Sequence, residues 1–287
     1  MTLTETLNSA AIILSTAGIT NARLDAEVLL AHIIRKDRVW LITHRDDVLG
    51  DNPQQDFDDA IRRRIRREPL QHIIGSQEFW GLEFKVTPDV LIPRPETEFI
   101  IEAALAIVHK RNQQVRIIDL CTGSGCIAVS LAKELTSANV IATDASEKAL
   151  AVARENARNH GVADRIRYLE GDLFDPLEEL DIRGQIDFIV SNPPYVRAGD
   201  MATLQPEVKD YEPLMALIAG PEGTEIAQRI IKHATEYLKK NGALIMEMGL
   251  GQAEALINMV EATGTYAKPE ILKDLAGIER VLVARKV

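Results

Sequence analysis

The chain has 287 residues, 46% of them hydrophobic and 26% charged, with a formal net charge of -10. That length suits one large domain or two modest ones, and the composition is that of a folded globular protein. No apolar run approaches the roughly 18 residues of a membrane span, and the acidic balance speaks against a protein living on a nucleic-acid backbone, whose affinity comes largely from neutralising phosphates.

The first residues, MTLTETLNSAAIILSTAG, place no basic residue ahead of their short apolar stretch, so they do not read as a secretory signal. Leu3, Leu7, Ala10, Ala11 and Leu14 recur at helical spacing. Ala26, Leu29, Leu30 and Ile33 do the same behind a start near Asn21. A third helix is expected from about Gln54 to Arg67, stopped by Pro69. In it Ile61 and Ile65 share a face, which puts Arg62, Arg63, Arg64, Arg66 and Arg67 on the solvated side. Residues 1–72 therefore read as a small helical bundle. In 73–95, Phe79 and Trp80, then Leu82, Phe84 and Val86, flank Gly81 in a hairpin pattern, and Pro88, Pro93 and Pro95 force an extended path. This stretch is expected to link two domains.

From residue 96 to 287 short apolar strands alternate with amphipathic helices, the signature of an α/β domain with a mainly parallel sheet covered on both faces. The closing RVLVAR run follows the preceding strand through a short connection and suits an antiparallel edge strand.

Ile117 to Gly125 is a strand running into a tight glycine turn that opens a helix, at the sheet end where α/β folds bind ligands. Asp144 ends the next strand, about 20 residues on, where a carboxylate can accept from both ribose hydroxyls. With Glu147 it also has the form of a helix capping box, and the two roles can coexist. Asp172 ends the third strand and could accept from an adenine amino group, with Leu173 or Phe174 covering the ring. Three successive strands ending in Asp119, Asp144 and Asp172 are a stronger signal than any one of them. Ala128 stands where a dinucleotide fingerprint would have its third glycine.

The strand IDFIVS ends in Asn192-Pro193-Pro194-Tyr195. Two prolines fix the backbone and remove two N–H donors, so the loop offers acceptors, the Asn192 side-chain oxygen and the proline carbonyls, beside the aromatic face of Tyr195. That set suits a planar NH₂ group, which has two donors and a flat π surface. Amide nitrogens and adenine amino groups fit it equally.

The runs RREPLQHIIGSQEFWGLEFKVTPDVLIPRPETE, DLCTGSG, SNPPYV, YEPLMALIAGPEG, MEMG and GIER resemble the HemK/PrmC family of release-factor glutamine methyltransferases over nearly the whole chain. The resemblance implies an N-terminal helical substrate-recognition domain, a β-hairpin linker and a Rossmann-like class I methyltransferase domain. It implies transfer of a methyl group from S-adenosylmethionine to N5 of the glutamine in the Gly-Gly-Gln motif of peptide-chain release factors, in the cytoplasm. Asn192 and Pro193 or Pro194 would bind that amide and Tyr195 would line its pocket. The cofactor would lie over Cys121, Thr122, Gly123, Ser124 and Gly125, behind Asp119 and with Asp144 on the ribose. Arg94, Pro95 and Glu98 would help close the site, with Arg94 toward the substrate. The family usually has glycine where Cys121 stands, and a side chain there would crowd the methionine end of the cofactor.

Two other readings stand beside this one. An adenine-N6 methyltransferase acting on DNA or RNA would need a phosphate footprint, for which the arginine cluster is the candidate. A non-catalytic cofactor-binding interaction protein would be expected to lose the asparagine or the prolines. The two cysteines have no C-x-x-C spacing and His32, His44, His72, His109, His160 and His233 no ligand spacing, so no metal is expected. Neither stable nucleic-acid binding nor a membrane partner is expected.

Overall fold

The computed structural model describes every residue except His109, so the expectation that His109 takes no part in a metal site lies outside the described residues. The chain divides into two compact units, Met1–Ser76 with Gln205–Tyr211, and Gln77–Leu204 with Glu212–Val287.

The first unit is helical: α1 (Leu3–Thr16), α2 (Ala22–Ile34), α3 (Arg38–Thr43), α4 (Asp51–Ile65) and α5 (Leu70–Ile74). Thr2 caps α1 in a reciprocal box with Glu5, meeting two amide donors that the first turn cannot. Of the apolar positions read from the sequence, Leu3, Leu7, Ala10, Leu14, Ala26, Leu29 and Leu30 are in the core with Phe57, whereas Ala11 and Ile33 are only partly buried. Helices α3 and α5 span six and five residues. Neither is long enough for a 3.6-residue period to show in sequence.

The second unit opens with the hairpin β1 (Ser76–Phe79) and β2 (Leu82–Lys85). Trp80 turns it with a positive φ of 55° and donates its N–H to Glu98 Oε1 at 2.7 Å. Phe79 and Phe84 meet edge to face with centroids 6.0 Å apart, inside the core of this unit. The hairpin read as a connector is thus anchored to the sheet domain by its own aromatic residues.

There follow α6 (Glu98–Ile107), β3 (Val115–Leu120), α7 (Cys126–Glu134), β4 (Ala138–Asp144), α8 (Glu147–Asn159), β5 (Ile166–Glu170), β6 (Ile186–Ser191) and β7 (Val196–Arg197). The chain then crosses to the first unit as α9 (Pro206–Lys209) and returns through β8 (Ile218–Gly220), α10 (Glu225–Tyr237), β9 (Leu238–Glu247), α11 (Ala253–Ala262), β10 (Glu270–Lys273) and β11 (Glu279–Arg285). Among the described residues the main sheet has the order β10-β11-β9-β6-β3-β4-β5. Strands β9, β6, β3, β4 and β5 are parallel, and β11 pairs antiparallel with both β9 and β10. The reversed strand expected at the edge is therefore one place in, with β10 covering it.

Successive residues of β3 serve opposite faces: Ile117 belongs to the core under α6, α7 and α8, and Ile118 to the core under α10 and α11. Both faces are covered, which is why the inner parallel strands β3 and β6 are largely apolar.

Four of the five clustered arginines, Arg62, Arg63, Arg64 and Arg67, are spent on ion pairs. Arg64 Nε donates to Asp25 at 2.8 Å, and its other nitrogens reach Glu207 in α9 at 3.1 Å. Arg67 donates to the same carboxylate at 2.9 Å, Arg63 pairs with Glu68 at 2.5 Å, and Arg62 pairs with Asp59. Arg64 is buried, contrary to the solvated position expected for it, because two acidic groups distant in sequence compensate its charge. Removing one partner of a buried pair strands the others. Arg64→Ala should therefore destabilise the helical unit by about 3 kcal/mol in urea unfolding, while Arg62→Ala should change stability by less than about 0.5 kcal/mol.

Candidate active site

Parallel register brings the site together. Leu120 of β3 is opposite Ser191 of β6 and Thr143 of β4, and Ser191 is opposite Met246 of β9. The residues that come next, Cys121, Asn192, Asp144 and Glu247, therefore form one row across the carboxyl end of the sheet. Ser191 Oγ donates to the Leu120 carbonyl at 2.8 Å, tying the β3 and β6 ends at this row.

A cavity of about 340 Å³ opens above it. Its wall takes Cys121, Thr122, Gly123 and Ser124 from the glycine turn, Asp144 from β4, and Asp172 and Leu173 from the loop after β5. Asn192 and Pro194 come from the loop after β6, Thr97 from the 3₁₀ turn before α6, and Met215, Ala216 and Ile218 from the segment before and within β8. Asp119, Gly125, Pro193, Tyr195 and Arg94 of the expected set are not on this wall.

The glycine turn is built for close approach. Cys121, Gly123 and Gly125 all have positive φ, at 57°, 55° and 79°. A Cβ on Gly125 would lie 2.9 Å from the Cβ of Ala153 in α8, so this glycine serves packing of the turn against that helix. Cys121 holds this left-handed conformation with a side chain, at a cost of about 1–2 kcal/mol of backbone strain. Burial raises the pKa of the Cys121 thiol, reinforced by the charges of Asp144 and Asp119, and holds it neutral.

Asp119 is completely buried beneath the turn, where its Oδ2 accepts from the Thr122 hydroxyl at 2.6 Å. Burial pushes its pKa up to about 7. Its place is under the turn, bracing it.

Asp144 is on the cavity wall. Its Oδ2 accepts the Gly123 N–H and its Oδ1 the Ser146 N–H, each at 2.9 Å. These bonds hold the carboxylate in one orientation and leave lone pairs for further donors. Burial raises its pKa, and the backbone N–H groups of Gly123 and Ser146 counter that. The capping box read from Asp144 and Glu147 is not formed. The cap of α8 is Ser146, whose Oγ accepts from the Ala149 N–H at 3.2 Å, and Glu147 pairs with Arg154.

Asp172 is exposed, and its Oδ2 accepts from Arg229 at 2.7 Å. Of the two apolar candidates beside it, Leu173 faces the cavity with a positive φ of 50°, and Phe174 stacks on Tyr237 in the core with ring centroids 5.1 Å apart.

On the acceptor side, Asn192 Nδ2 donates to Thr97 Oγ1 at 3.0 Å, and Thr97 Oγ1 donates to Glu247 Oε2 at 2.6 Å. The Tyr195 hydroxyl lies 3.4 Å from Glu247 Oε1, and the Tyr195 carbonyl accepts from Gln252 Nε2 at 3.0 Å. Asn192 Oδ1 is shielded from bulk water and has no hydrogen-bond partner among the described residues. A buried acceptor left unmet costs about 1–3 kcal/mol, so this oxygen favours the entry of an N–H or O–H donor. Burial pushes Glu247 up to about 7, with hydrogen bonds from Thr97 and Tyr195 pulling the other way. Burial and the nearby Glu247 charge raise the pKa of Tyr195 and keep it a phenol.

Thr97 and Glu247 were not singled out from sequence. The signal for Glu247 was there, a carboxylate closing the otherwise apolar run ALIM. Thr97 gave none, since the contact joins residues 95 and 150 positions away. Arg94 and Glu98 are engaged elsewhere, Arg94 with the buried Glu212 at 2.7 Å and Glu98 with the hairpin turn. Glu212 leads directly into Pro213 and Met215 of the cavity wall, so Arg94 anchors that wall segment. Among the described residues no group of three or more histidine, cysteine, aspartate or glutamate side chains could hold a metal ion.

Comparison with known proteins supplies the remaining evidence. Residues 5–75 match the PrmC N-terminal domain family, and residues 101–206 match the Methyltransferase small domain family. The release factor glutamine methyltransferase of Geobacter sulfurreducens is 43% identical over 272 residues, 95% of this chain and 92% of that protein. That of Cereibacter sphaeroides is 42% identical over 285 residues, 99% of each. Among solved structures, a methyltransferase from Pyrococcus furiosus aligns over 78% of this chain and 98% of its own, with TM-score 0.52 and 16% identity. The hMettl16 catalytic domain in complex with a MAT2A 3'UTR hairpin aligns over 85% of this chain and 84% of its own, with TM-score 0.57 and 17% identity. At such identities the structural neighbours speak for the methyltransferase fold alone, whereas sequence identity above 40% along nearly the full length of both chains makes this protein a member of the release factor glutamine methyltransferase family.

Proposed function

We propose that the protein transfers a methyl group from S-adenosylmethionine to the side-chain amide nitrogen, N5, of the glutamine in the Gly-Gly-Gln motif of peptide-chain release factors. The observation that carries this is the buried, unpartnered Asn192 Oδ1 in the row of strand ends that also holds the glycine turn and Asp144.

The cavity residues fit the donor. The turn Cys121–Ser124 lets backbone approach a ligand, Asp144 retains acceptor capacity for vicinal hydroxyls, and Leu173 offers an apolar surface for a base. The volume of about 340 Å³ lies within the range of small-molecule sites. When bound, S-adenosylmethionine supplies a methyl group on an electrophilic sulfonium. In this reading Asp119 braces the turn from beneath through Thr122, and Asp172, paired with Arg229, stands on the wall beside Leu173.

The residues of this chain then have the harder half of the reaction. An amide nitrogen is a poor nucleophile because its lone pair is delocalised into the carbonyl. Asn192 Oδ1 and a carbonyl of Pro193 or Pro194 accept from its two N–H bonds. They orient the nitrogen, favour a more pyramidal geometry and stabilise the positive charge that grows on it, the converse of an oxyanion hole. Tyr195, held by Gln252 through its carbonyl and by Glu247 through its hydroxyl, borders the acceptor loop. Positioning does most of the work, and the nitrogen needs to lose its proton only after transfer.

We assign the protein to the cytoplasm with its release-factor partner. Among the described residues no helix is long and apolar enough to cross a membrane. Four arginines of the cluster, Arg62, Arg63, Arg64 and Arg67, are ion-paired, which speaks against a phosphate footprint for an adenine methyltransferase.

Incubation with labelled donor, offering release factor and DNA separately, is expected to label the release factor; label in DNA alone would overturn the assignment. Asn192→Ala should keep donor affinity and lower kcat about 100-fold or more, read under single-turnover conditions. Replacing the acceptor glutamine by glutamate should abolish transfer, because carboxylate oxygens would face acceptors with no proton between them. Asp144→Ala should weaken donor binding by about 1–3 kcal/mol in calorimetry.

A further inference from the structure

The polarity of the Asn192 amide is decided by groups that do not belong to its own loop. A hydroxyl has one proton to give and lone pairs to receive. Thr97 Oγ1 stands between two partners, Glu247 Oε2 at 2.6 Å and Asn192 Nδ2 at 3.0 Å. In its ionised form the Glu247 carboxylate can only accept, so it then takes the threonine proton. The hydroxyl then has nothing but lone pairs for the asparagine, and the asparagine must turn its NH₂ toward it. The side-chain oxygen is left as the free end, which is the atom found without a partner.

We propose that Thr97 and Glu247 are positioning residues that lock Asn192 with its carbonyl oxygen toward the substrate, so that the site accepts a group with N–H donors and rejects one without. This rests on the glutamine reading above and supplies the reason why that reading needs residues beyond the Asn-Pro-Pro-Tyr loop. Free of the lock, an asparagine amide can rotate by half a turn and offer N–H instead, at little steric cost, since its oxygen and nitrogen ends have nearly the same shape.

The arrangement has the marks of a built device. Glu247 is 3% exposed and Thr97 is 2% exposed, in a buried setting where an unsatisfied partner is costly. Glu247 follows Met246, the β9 residue that pairs with Ser191, and Asn192 follows Ser191, so strand register itself brings the carboxylate beside the asparagine. The second carboxylate oxygen faces the Tyr195 hydroxyl at 3.4 Å. One buried acid therefore steadies both the polar and the aromatic side chain of the acceptor loop. Thr97 is delivered by the 3₁₀ turn Pro95–Thr97, whose N1 proline pre-sets the backbone.

The test uses the full-length enzyme, with the demethylated donor product for binding and S-adenosylmethionine for turnover, and release factor carrying either glutamine or glutamate at the acceptor position. Thr97→Val keeps the shape and removes the hydroxyl, and Thr97→Ser keeps the hydroxyl. Wild type should bind the glutamine form at least about 10-fold tighter than the glutamate form. Thr97→Val should narrow that preference to within about threefold, because a rotated Asn192 can donate to a carboxylate, and should lower kcat on glutamine about 10-fold or more. Thr97→Ser should restore both quantities to within about twofold of wild type. A packing role alone would leave the glutamine-to-glutamate preference where it was. Thr97→Val with unchanged preference and unchanged kcat overturns the lock while the glutamine reading stands. A wild-type enzyme that methylates no release factor overturns both.

Discussion

The parallel pairing of β6 with β3 on one side and β9 on the other is the constraint on which the site depends. Each of these strands delivers a chemically distinct group at its carboxyl end. The glycine turn follows β3, Asn192 follows β6, and Glu247 ends β9. Pairing of Leu120 with Ser191 and of Ser191 with Met246 sets them side by side. A slip of one residue in either pairing would turn Asn192 or Glu247 to the opposite face of the sheet. The two cores that clamp this sheet from above and below are what hold the register, so the precision of the site is set by packing well away from it.

Electrostatics on the acceptor side follow from burial. Glu247 is shut away from water, and its charge is met by the hydroxyls of Thr97 and Tyr195. With Glu247 ionised, the result is a short chain of hydrogen bonds that runs in one direction, from the asparagine amide through the threonine hydroxyl to the carboxylate. Such a chain transmits orientation: the carboxylate decides the hydroxyl, and the hydroxyl decides the amide. On the donor side the logic differs. Asp144 is fixed by backbone N–H groups of the glycine turn and of the following helix start, so its position is part of the turn geometry.

The helical unit is held by different means. Its apolar core is reinforced by a buried arginine whose two carboxylate partners come from opposite ends of the sequence, Asp25 and Glu207. Within the helical unit Glu207 is held by Arg64 and Arg67, and within the sheet unit Glu212, which leads into the cavity wall, is held by Arg94. This gives structural work to arginines whose clustering in sequence looks like a solvated basic face.

Much of this protein was legible in its residues. The α/β alternation, the glycine turn, Asp144 and the Asn-Pro-Pro-Tyr loop are local patterns, each set by short-range backbone chemistry that leaves a mark within about ten residues. Those patterns, together with a resemblance running along nearly the whole chain, reached the family and the methyltransferase fold. The short helices α3 and α5, the burial of Arg64, the cap at Ser146, the pairing of Asp172 with Arg229 and the Thr97–Glu247 contact were not legible. Each depends on a partner selected by packing or on a competition between neighbouring donors that sequence spacing does not rank. Sequence determined which groups stand at the strand ends, whereas tertiary structure alone decided which of them touch. Hydrogen bonds and ion pairs are made across space, and their partners here are separated by up to 150 positions along the chain.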